Sequence, residues 1–183
     1  MRLFLAYELP DDLQQQIYQV FSPLHQRLRN FAWVKPGRLH LTLRFLGEVS
    51  EDFLQARLIP VFEEEFSKLG PFQLSFQGLG LFPNLSRPRV LWLGVKGDTL
   101  KLKHQALQLE KKLDGQQVQQ YHKAFSPHIT LAKMKEVQKN VLLGRLIQEY
   151  EKTDFGIFEF KAPSLFESVL GAEGSAYKIL RKF

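Results

Sequence analysis

The chain contains the same short motif twice. The first motif is His40-Leu41-Thr42-Leu43 and the second motif is His128-Ile129-Thr130-Leu131. Because successive side chains of a strand point to opposite faces, each motif predicts a strand with histidine and threonine on one face and apolar residues on the other. The two motifs are 88 residues apart (128 − 40). This repetition predicts two related halves, each of which contributes one such strand.

The repetition extends beyond the motifs. Residues 40–63 and 128–151 align without a gap and share ten identical residues in 24 positions. Two long copies are too few for a solenoid, and the mixed order of strands and helices favours an α+β fold. We therefore expect a bilobed α+β fold with pseudo-twofold, duplicated, mainly antiparallel sheets, outer helices and a central cleft. The two motif strands are expected to face each other across that cleft.

Apolar periodicity predicts the other elements along the chain. Prolines interrupt two of the predicted helices: Pro23 should kink or divide the first, and Pro60 should disturb the helix that begins near Ser50. The polar, proline-containing segment 79–88 is expected to form a loop that crosses between the lobes. Further strands are predicted at residues 2–8, 31–34, 72–78, 89–95, 155–161, 164–170 and 175–182, and further helices at 99–113 and 136–150.

Composition limits the chemistry that the chain can perform. It has no cysteine, which excludes disulfides, thiolate zinc sites and cysteine nucleophiles. No apolar run approaches the roughly 18–20 residues of a membrane helix, and the N-terminus is apolar too briefly for a signal peptide. We therefore expect a cytoplasmic protein with no membrane contact. The formal net charge of +6 suits an anionic partner such as RNA or a phosphorylated small molecule.

Two histidine–threonine pairs suit the opening of a cyclic phosphodiester. His40 and His128 are candidates for an acid–base pair, because imidazole can both accept and donate a proton near neutral pH. One group would take a proton from the attacking water while the other protonates the departing ribose oxygen. The hydroxyls of Thr42 and Thr130 can donate hydrogen bonds to the non-bridging phosphate oxygens.

Other uses of these residues have less support. A lone histidine or threonine on a strand is usually structural, and only the paired occurrence at equivalent positions favours function. A hydrolytic zinc would need a third protein ligand, and no His-Glu-x-x-His or acidic cluster accompanies the motifs. There is also no Gly-x-Ser-x-Gly elbow for a serine triad. We therefore expect no metal and no other cofactor.

The two motifs in their context resemble the paired signatures of the two-histidine (2H) phosphoesterases. The closest similarity is to the LigT-like RNA 2′,3′-cyclic phosphodiesterases, also called 2′-5′ RNA ligases. It covers essentially the whole chain and is carried by His40–Gly47, Pro127–Ala132, Arg2–Ala6, Pro88–Gly94 and Glu167-Ser168 with Tyr177.

The resemblance implies that residues 1–183 form a single bilobed domain that acts on RNA ends, and we expect a monomer. It implies hydrolysis of a 2′,3′-cyclic phosphate to a 2′-phosphate without a metal, and weak, reversible 2′-5′ ligase activity would not contradict this reading, because ligation reverses a transesterification at the same site. His40 and His128 carry over as the acid–base pair, and Thr42 and Thr130 as phosphate ligands. Lys133 stands where the family commonly has arginine, which keeps the charge but loses the bidentate fork. Lys133 is a candidate phosphate ligand, but strict alternation would point it away from His128, so it reaches the site only if the strand bends or ends by Ala132.

Several points stay open at the level of sequence. Trp33, Tyr121 and Phe125 lie just upstream of the histidines and are candidates to stack on bases. Because side chains alternate along a strand, Arg44, four residues after His40, is expected to share the face of His40. The substrate could also be another 2′-linked or cyclic nucleotide, and the protein could be an RNA-end-binding module with little turnover. The acid and the base cannot be assigned.

Overall fold

The computed structural model describes residues 1–120, 124–134, 141–171 and 174–183. The strands within these ranges are β1 (Arg2–Glu8), β2 (Phe31–Trp33), β3 (His40–Glu48), β4 (Phe72–Phe82), β5 (Val90–Gly97), β6 (His128–Met134), β7 (Asp154–Phe160), β8 (Ser164–Gly171) and β9 (Gly174–Lys182). The helical elements are α1 (Asp11–Arg27), α2 (Glu51–Phe53), a π-helical turn (Leu54–Leu58), α3 (Ile59–Ser67), α4 (Thr99–Leu113) and α5 (Val141–Glu149). The start of the helix predicted at 136–150 lies outside the described residues.

These strands form one sheet whose order is symmetric about its centre. The order is β7-β4-β5-β6-β3-β1-β8-β9, with β2 also paired to β6, and neighbouring strands run antiparallel. The two motif strands, β3 and β6, lie at the centre of the sheet. Outward from β3 come β1, β8 and β9, and outward from β6 come β5, β4 and β7. The predicted α+β fold with duplicated antiparallel halves is confirmed. The motif strands, however, do not face each other across a cleft: β3 and β6 are neighbours that pair directly at Leu41 and Ile129.

The chain does not cross between the halves at residues 79–88. Strand β4 continues to Phe82 and pairs with β5, so residues 83–89 are the connection of a β-hairpin. The long crossings lie instead between β3 and β4, through α2 and α3, and between β7 and β8, and the short strand β2 also reaches across to pair with β6. One half therefore contains the continuous stretch β4 to β7 with β2 added, whereas the other joins strands from both ends of the chain.

Helices α1 and α4 bury their apolar stripes against one face of the sheet. In α1 the stripe contains Leu13 and Ile17, and in α4 it contains Leu102 and Leu109, at the spacing of an amphipathic helix. They join one apolar core with the sheet residues Leu3, Leu5, Leu41, Leu43, Leu93, Ile129 and Leu131. This packing covers one face of the central strands and leaves the opposite face available to polar side chains.

The prolines affect the two helical segments differently. Helix α1 runs through Pro23 without being divided, and its neighbours Phe21 and Leu24 are buried in the core. The disturbance expected at Pro60 is confirmed by the π-helical turn that ends just before α3. Proline removes an amide hydrogen bond and crowds the carbonyl four residues earlier, and a wider turn accommodates both effects. Within the described residues, no helix is both long and apolar enough to cross a membrane.

Candidate active site

The two motifs meet at the centre of the sheet. Leu41 pairs with Ile129 across β3 and β6, and both side chains are buried on the helix-covered face. In an antiparallel pair this register sets the histidine of each motif opposite the threonine of the other. Alternation then turns the polar side chains to the opposite face. The structure thereby brings together four of the residues predicted from the sequence, His40, Thr42, His128 and Thr130.

Each imidazole is held by the backbone two residues before it. Nδ1 of His40 lies 2.8 Å from the carbonyl oxygen of Arg38, and Nδ1 of His128 lies 2.7 Å from that of Ser126. A carbonyl oxygen can only accept, so Nδ1 donates the hydrogen bond in both rings. Nε2 of each neutral ring therefore has a free lone pair. It can accept a proton, and in the imidazolium form it can give one up.

His40 lies among aromatic side chains of the first half. Its ring centroid is 5.0 Å from that of Phe4, 6.1 Å from that of Phe166 and 5.1 Å from that of Tyr177, which meets it edge-on. Phe4 and Phe166 are buried and stack on each other. Burial in this environment lowers the pKa of His40 below the ordinary value for histidine.

His128 has an equivalent aromatic environment in the second half. Phe82 meets its ring edge-on at a centroid distance of 4.8 Å, and Trp92 lies at 6.5 Å. Burial lowers the pKa of His128, although the hydrogen bond to the Ser126 carbonyl opposes this effect. Both imidazoles therefore favour the neutral form near pH 7.

The indole of Trp92 requires a glycine on the neighbouring strand. A Cβ atom at Gly80 would overlap the six-membered ring of Trp92. We expect Gly80→Ala to lower the free energy of unfolding by about 1–3 kcal/mol, because an overpacked site must shift a rigid ring. Urea unfolding followed by tryptophan fluorescence measures this change. Gly70→Ala is the matched control, because a Cβ there meets no atom within 4 Å, and equal stability of the two variants would contradict the prediction.

A β-bulge lies at the same place in both motif strands. Leu43 is skipped in the pairing of β3 with β1, and Leu131 is skipped in the pairing of β6 with β5. These residues are 88 positions apart (131 − 43), the spacing of the motifs themselves. An extra residue reverses the alternation of the side chains that follow it. Strict alternation therefore fails just after each threonine.

The bulge in β6 turns Lys133 toward the motif side chains. Lys133 pairs with Val90, and Thr130 pairs with Trp92. Because Val90 and Trp92 are two residues apart on β5, Lys133 and Thr130 point to the same face. The ammonium group is also close enough to His40 to lower the pKa of that imidazole beyond the effect of burial. The structure thus places Lys133 on the face of the motif side chains and within electrostatic reach of His40, where unbroken alternation would not have put it.

The bulge in β3 turns Arg44 into the protein, so the expectation that it shares the face of His40 is wrong. The Arg44 side chain is 4% exposed and forms an ion pair with Glu110 of α4, at 2.9 Å between Nε and Oε2. Its Nη2 also donates to the carbonyl oxygen of Gln119 at 2.8 Å. The next residue, Phe45, takes the site face instead and is 42% exposed.

A cavity of about 1000 Å³ opens beside the second motif. It is lined by Thr42 and His128 and by Phe125, one of the three aromatic residues predicted to contact bases. Trp33 packs elsewhere: its indole lies against α1 and donates a hydrogen bond to a carbonyl at the end of that helix. Tyr121 lies outside the described residues. The sequence missed Phe82, which lines the cavity and packs on His128 although the two are far apart in the chain.

The arrangement favours proton transfer over metal binding. Across the described ranges of the chain, no group of three or more histidine, cysteine, aspartate or glutamate side chains could hold a metal ion. A hydrolytic zinc site needs three protein ligands, and His40 and His128 supply two. Two imidazoles with free Nε2 atoms can instead serve as a base and an acid.

Comparison with known families agrees with this geometry. The model of the family described as "LigT like Phosphoesterase" matches residues 8–92 and 100–177, which include both motifs. The chain belongs to the LigT-like phosphoesterase family. The resemblance seen in the motifs is thereby confirmed.

Relatives of this LigT-like phosphoesterase are similar along its full length. A protein of Archaeoglobus fulgidus named RNA 2′,3′-cyclic phosphodiesterase is 35% identical, with 100% of this chain and 99% of the relative covered. A Methanocaldococcus jannaschii protein of the same name is 27% identical, with 100% of both chains covered. The solved structure of TT0787 of Thermus thermophilus has a TM-score of 0.81 and 28% identity, covering 100% of this chain and 97% of its own. The structure of E. coli LigT complexed with 3′-AMP has a TM-score of 0.77 and 25% identity, and the match covers 100% of this chain and 96% of the LigT chain.

Proposed function

We propose that this protein hydrolyses the 2′,3′-cyclic phosphate at RNA ends to a 2′-phosphate without a metal cofactor. The observation that carries the proposal is the mirrored pair of imidazoles on one face of the sheet, each with Nδ1 bonded to the backbone and Nε2 available. Relatives that cover the whole chain bear the name RNA 2′,3′-cyclic phosphodiesterase. A net charge of +6 also favours an anionic substrate.

Ring opening needs a base and an acid in the same step, and His40 and His128 divide these roles. One Nε2 accepts a proton from the attacking water as the new P–O bond forms. The P–O3′ bond breaks, and the other Nε2 donates its proton to the departing O3′. The acid must begin as imidazolium, although burial lowers the pKa of both rings. The bound phosphate anion opposes this effect by stabilising the charged form.

Thr42 and Thr130 are the proposed phosphate ligands. In the described part of the chain, neither hydroxyl forms a hydrogen bond with another residue, so both can donate to the substrate. Each would donate to a non-bridging oxygen, where negative charge is held in the transition state. Lys133 adds positive charge on the His40 side, as a point charge without the bidentate geometry of arginine.

Each half contributes one histidine and one threonine to this site, so we propose that residues 1–183 act as one bilobed domain. Weak 2′-5′ ligation would use the same two histidines, with an RNA 5′-hydroxyl taking the place of water. A monomeric state and a cytoplasmic location stay predictions.

The proposal is tested with an RNA oligonucleotide that ends in a 2′,3′-cyclic phosphate, incubated with metal-free protein and a chelator. We expect a product with a 2′-phosphate, identified by chromatography against 2′- and 3′-phosphate standards. Tight binding without turnover would contradict the proposal in favour of an RNA-end-binding module. Turnover of only small cyclic or 2′-linked nucleotides would assign a different substrate.

Replacing Lys133 with methionine should change the pH profile mainly on one side. Its positive charge lowers the pKa of His40, so removing the charge raises that pKa. The limb of the kcat/KM profile that reports His40 should therefore move to higher pH, and the limb of His128 should move less, because Lys133 affects it only through the electrostatic interaction between the two imidazoles. A shift of the acidic limb identifies His40 as the base, and a shift of the alkaline limb identifies it as the acid. Lys161→Met is the control, and a profile that moves on neither limb would contradict the prediction.

A further inference from the structure

We propose that Gln14 of α1 is a positioning residue for His40: its side-chain amide holds the peptide unit between Arg38 and Leu39, and the carbonyl group of that unit holds the imidazole. This inference rests on the proposed function, in which Nε2 of His40 exchanges a proton with the substrate. It adds a residue that lies outside both motifs and 26 positions before His40 (40 − 14).

The side chain of Gln14 connects three segments of the chain. It lies near the start of α1 and is buried, with 6% of the residue exposed. Its Nε2 donates to the carbonyl oxygen of Leu9, just after β1, at 3.0 Å. Its Oε1 accepts from the backbone N–H groups of Gly37 at 2.9 Å and Leu39 at 3.1 Å. Because a buried amide is costly unless its polar atoms are bonded, these three hydrogen bonds fix both the amide and the segment before β3.

The segment before β3 is a tight turn that depends on these bonds. The N–H group of Arg38 donates to the carbonyl oxygen of Lys35 at 3.1 Å, which closes a turn with Pro36 and Gly37 at its centre. Gly37 has a φ of 81°, as the third position of a type II turn requires. The N–H groups of residues 37–39 thus all have acceptors, and Gln14 supplies the acceptor for two of the three.

One peptide unit transmits this restraint to His40. The N–H group of Leu39 and the carbonyl group of Arg38 belong to the same planar peptide unit and point in opposite directions. Gln14 holds the N–H end, and Nδ1 of His40 donates to the carbonyl end at 2.8 Å. Rotation of this unit would therefore turn the carbonyl group away from the imidazole. A neutral ring without that acceptor can carry its proton on Nε2, and Nε2 can then no longer accept one.

The second motif holds its histidine by a different means. Nδ1 of His128 donates to the carbonyl oxygen of Ser126 at 2.7 Å. The next residue, Pro127, occupies the position equivalent to Leu39, 88 residues further on (127 − 39). This peptide unit has no N–H group to satisfy, and the proline ring fixes the φ angle that follows it. The first motif has leucine at this position and uses the glutamine side chain instead, so replacing Gln14 should affect His40 and not His128.

Gln14→Met tests the proposal, because methionine has a similar size and forms none of the three hydrogen bonds. We expect kcat for the cyclic phosphate to fall about 10- to 100-fold with little change in KM, since the proton-transferring group is misaligned rather than removed. The hydrogen bond to Arg38 raises the pKa of His40, so its loss should move the limb of the kcat/KM profile that reports His40 to lower pH. This shift is opposite to the one expected for Lys133→Met. The variant leaves unchanged the other charged and titratable groups next to His40, which are Glu8 of β1, Arg38, His128 and Lys133 of β6, and Tyr177 of β9.

The position of the ring proton can be measured without substrate. NMR of protein labelled with ¹⁵N in its histidines, recorded above the pKa of both rings, shows which nitrogen carries the proton. The signals are assigned by their absence in His40→Ala and His128→Ala. In the parent, both rings should carry the proton on Nδ1. In Gln14→Met, His40 should change toward the Nε2–H form that neutral imidazole prefers in water, while His128 should keep its proton on Nδ1.

Gln105→Met is the matched control. Gln105 is another buried glutamine, 5% exposed, but its Oε1 accepts the hydrogen bond of the Tyr7 hydroxyl. Both variants should have lower melting temperatures, whereas Gln105→Met should keep the tautomers of the parent and most of its kcat. If Gln14→Met does not fold, Gln14→Asn replaces it, because the shorter amide cannot reach both N–H groups and is less disruptive to bury.

A folded Gln14 variant in which His40 keeps its tautomer and its pH limb would overturn the inference. The same changes in Gln105→Met would also overturn it, because they would show a general loosening of the core. A parent that does not hydrolyse the cyclic phosphate would contradict the proposed function instead. A change of tautomer confined to His40 would then still support the assignment of Gln14 as the residue that orients this ring.

Discussion

Replacing either His40 or His128 with alanine is expected to lower kcat for cyclic phosphate hydrolysis by about 10²- to 10⁴-fold, the contribution of a well-positioned general acid or base. Each replacement removes one of the two Nε2 atoms that carry protons, while the threonine hydroxyls remain. KM should therefore change much less than kcat. Initial rates at saturating RNA with a chelator present measure this effect. The double replacement should cost little more than the worse single one, because the two groups act in the same step.

His104→Ala is the matched control for these variants. His104 is exposed on α4, does not line the cavity, and its side chain contacts Gln108. It should retain the activity of the parent. Circular dichroism melting separates chemistry from folding. If a folded His40→Ala or His128→Ala protein keeps more than a tenth of the parent rate, the two-histidine mechanism is wrong.

The parts of the site that obey local rules could be predicted from the sequence. A period of two along each motif was sufficient to place histidine and threonine on one face and Leu41 or Ile129 on the other, and the structure agrees. The duplication also indicated that the halves would be related. These inferences depend on a few consecutive residues and on the comparison of two segments, so they need no knowledge of the surrounding fold.

The parts that depend on distant partners could not be predicted. The direct pairing of β3 with β6 joins residues 88 positions apart (129 − 41), and no local pattern specifies which strand becomes a neighbour. The bulges at Leu43 and Leu131 reverse the alternation. Parity therefore failed for Arg44, which is buried against α4, and for Lys133, which points into the site. A bulge leaves no simple signal in composition, although the identical leucine at both positions is consistent with one shared distortion.

The lining of the cavity beside His128 was even harder to predict from local sequence patterns. Phe45, Phe82 and Phe125 come from three separate segments and meet only because β4, β5, β6 and β3 are neighbours in that order. The sequence identified Phe125 through its nearness to the second motif, and it missed the other two. Proximity along the chain also suggested Trp33, which packs on α1 instead. Side chains that meet only through the pairing of distant strands are therefore the least predictable part of this site.

Replacing Thr42 or Thr130 with valine is expected to lower kcat/KM by about 10²- to 10³-fold, the effect of removing one preorganised donor from a transition state. Valine keeps the branched shape that suits a strand, so the change removes the hydroxyl with little effect on packing. Because the two threonines hold equivalent positions in the duplicated halves, the two losses should be of similar size. Thr42→Ser and Thr130→Ser restore a hydroxyl and should recover most of the activity.

The pattern of these four variants distinguishes phosphate binding from a structural role. If the threonines only stabilise the strands, serine, which fits a strand less well than valine, should be the more harmful replacement in a melting experiment and in the assay alike. If the threonines donate to the phosphate, the serine variants should be more active than the valine variants, although the valine variants should have the higher melting temperatures. Activity of the valine variants within tenfold of the parent would remove the threonines from the proposed mechanism and leave Lys133 and the imidazolium as the groups that stabilise the phosphate charge.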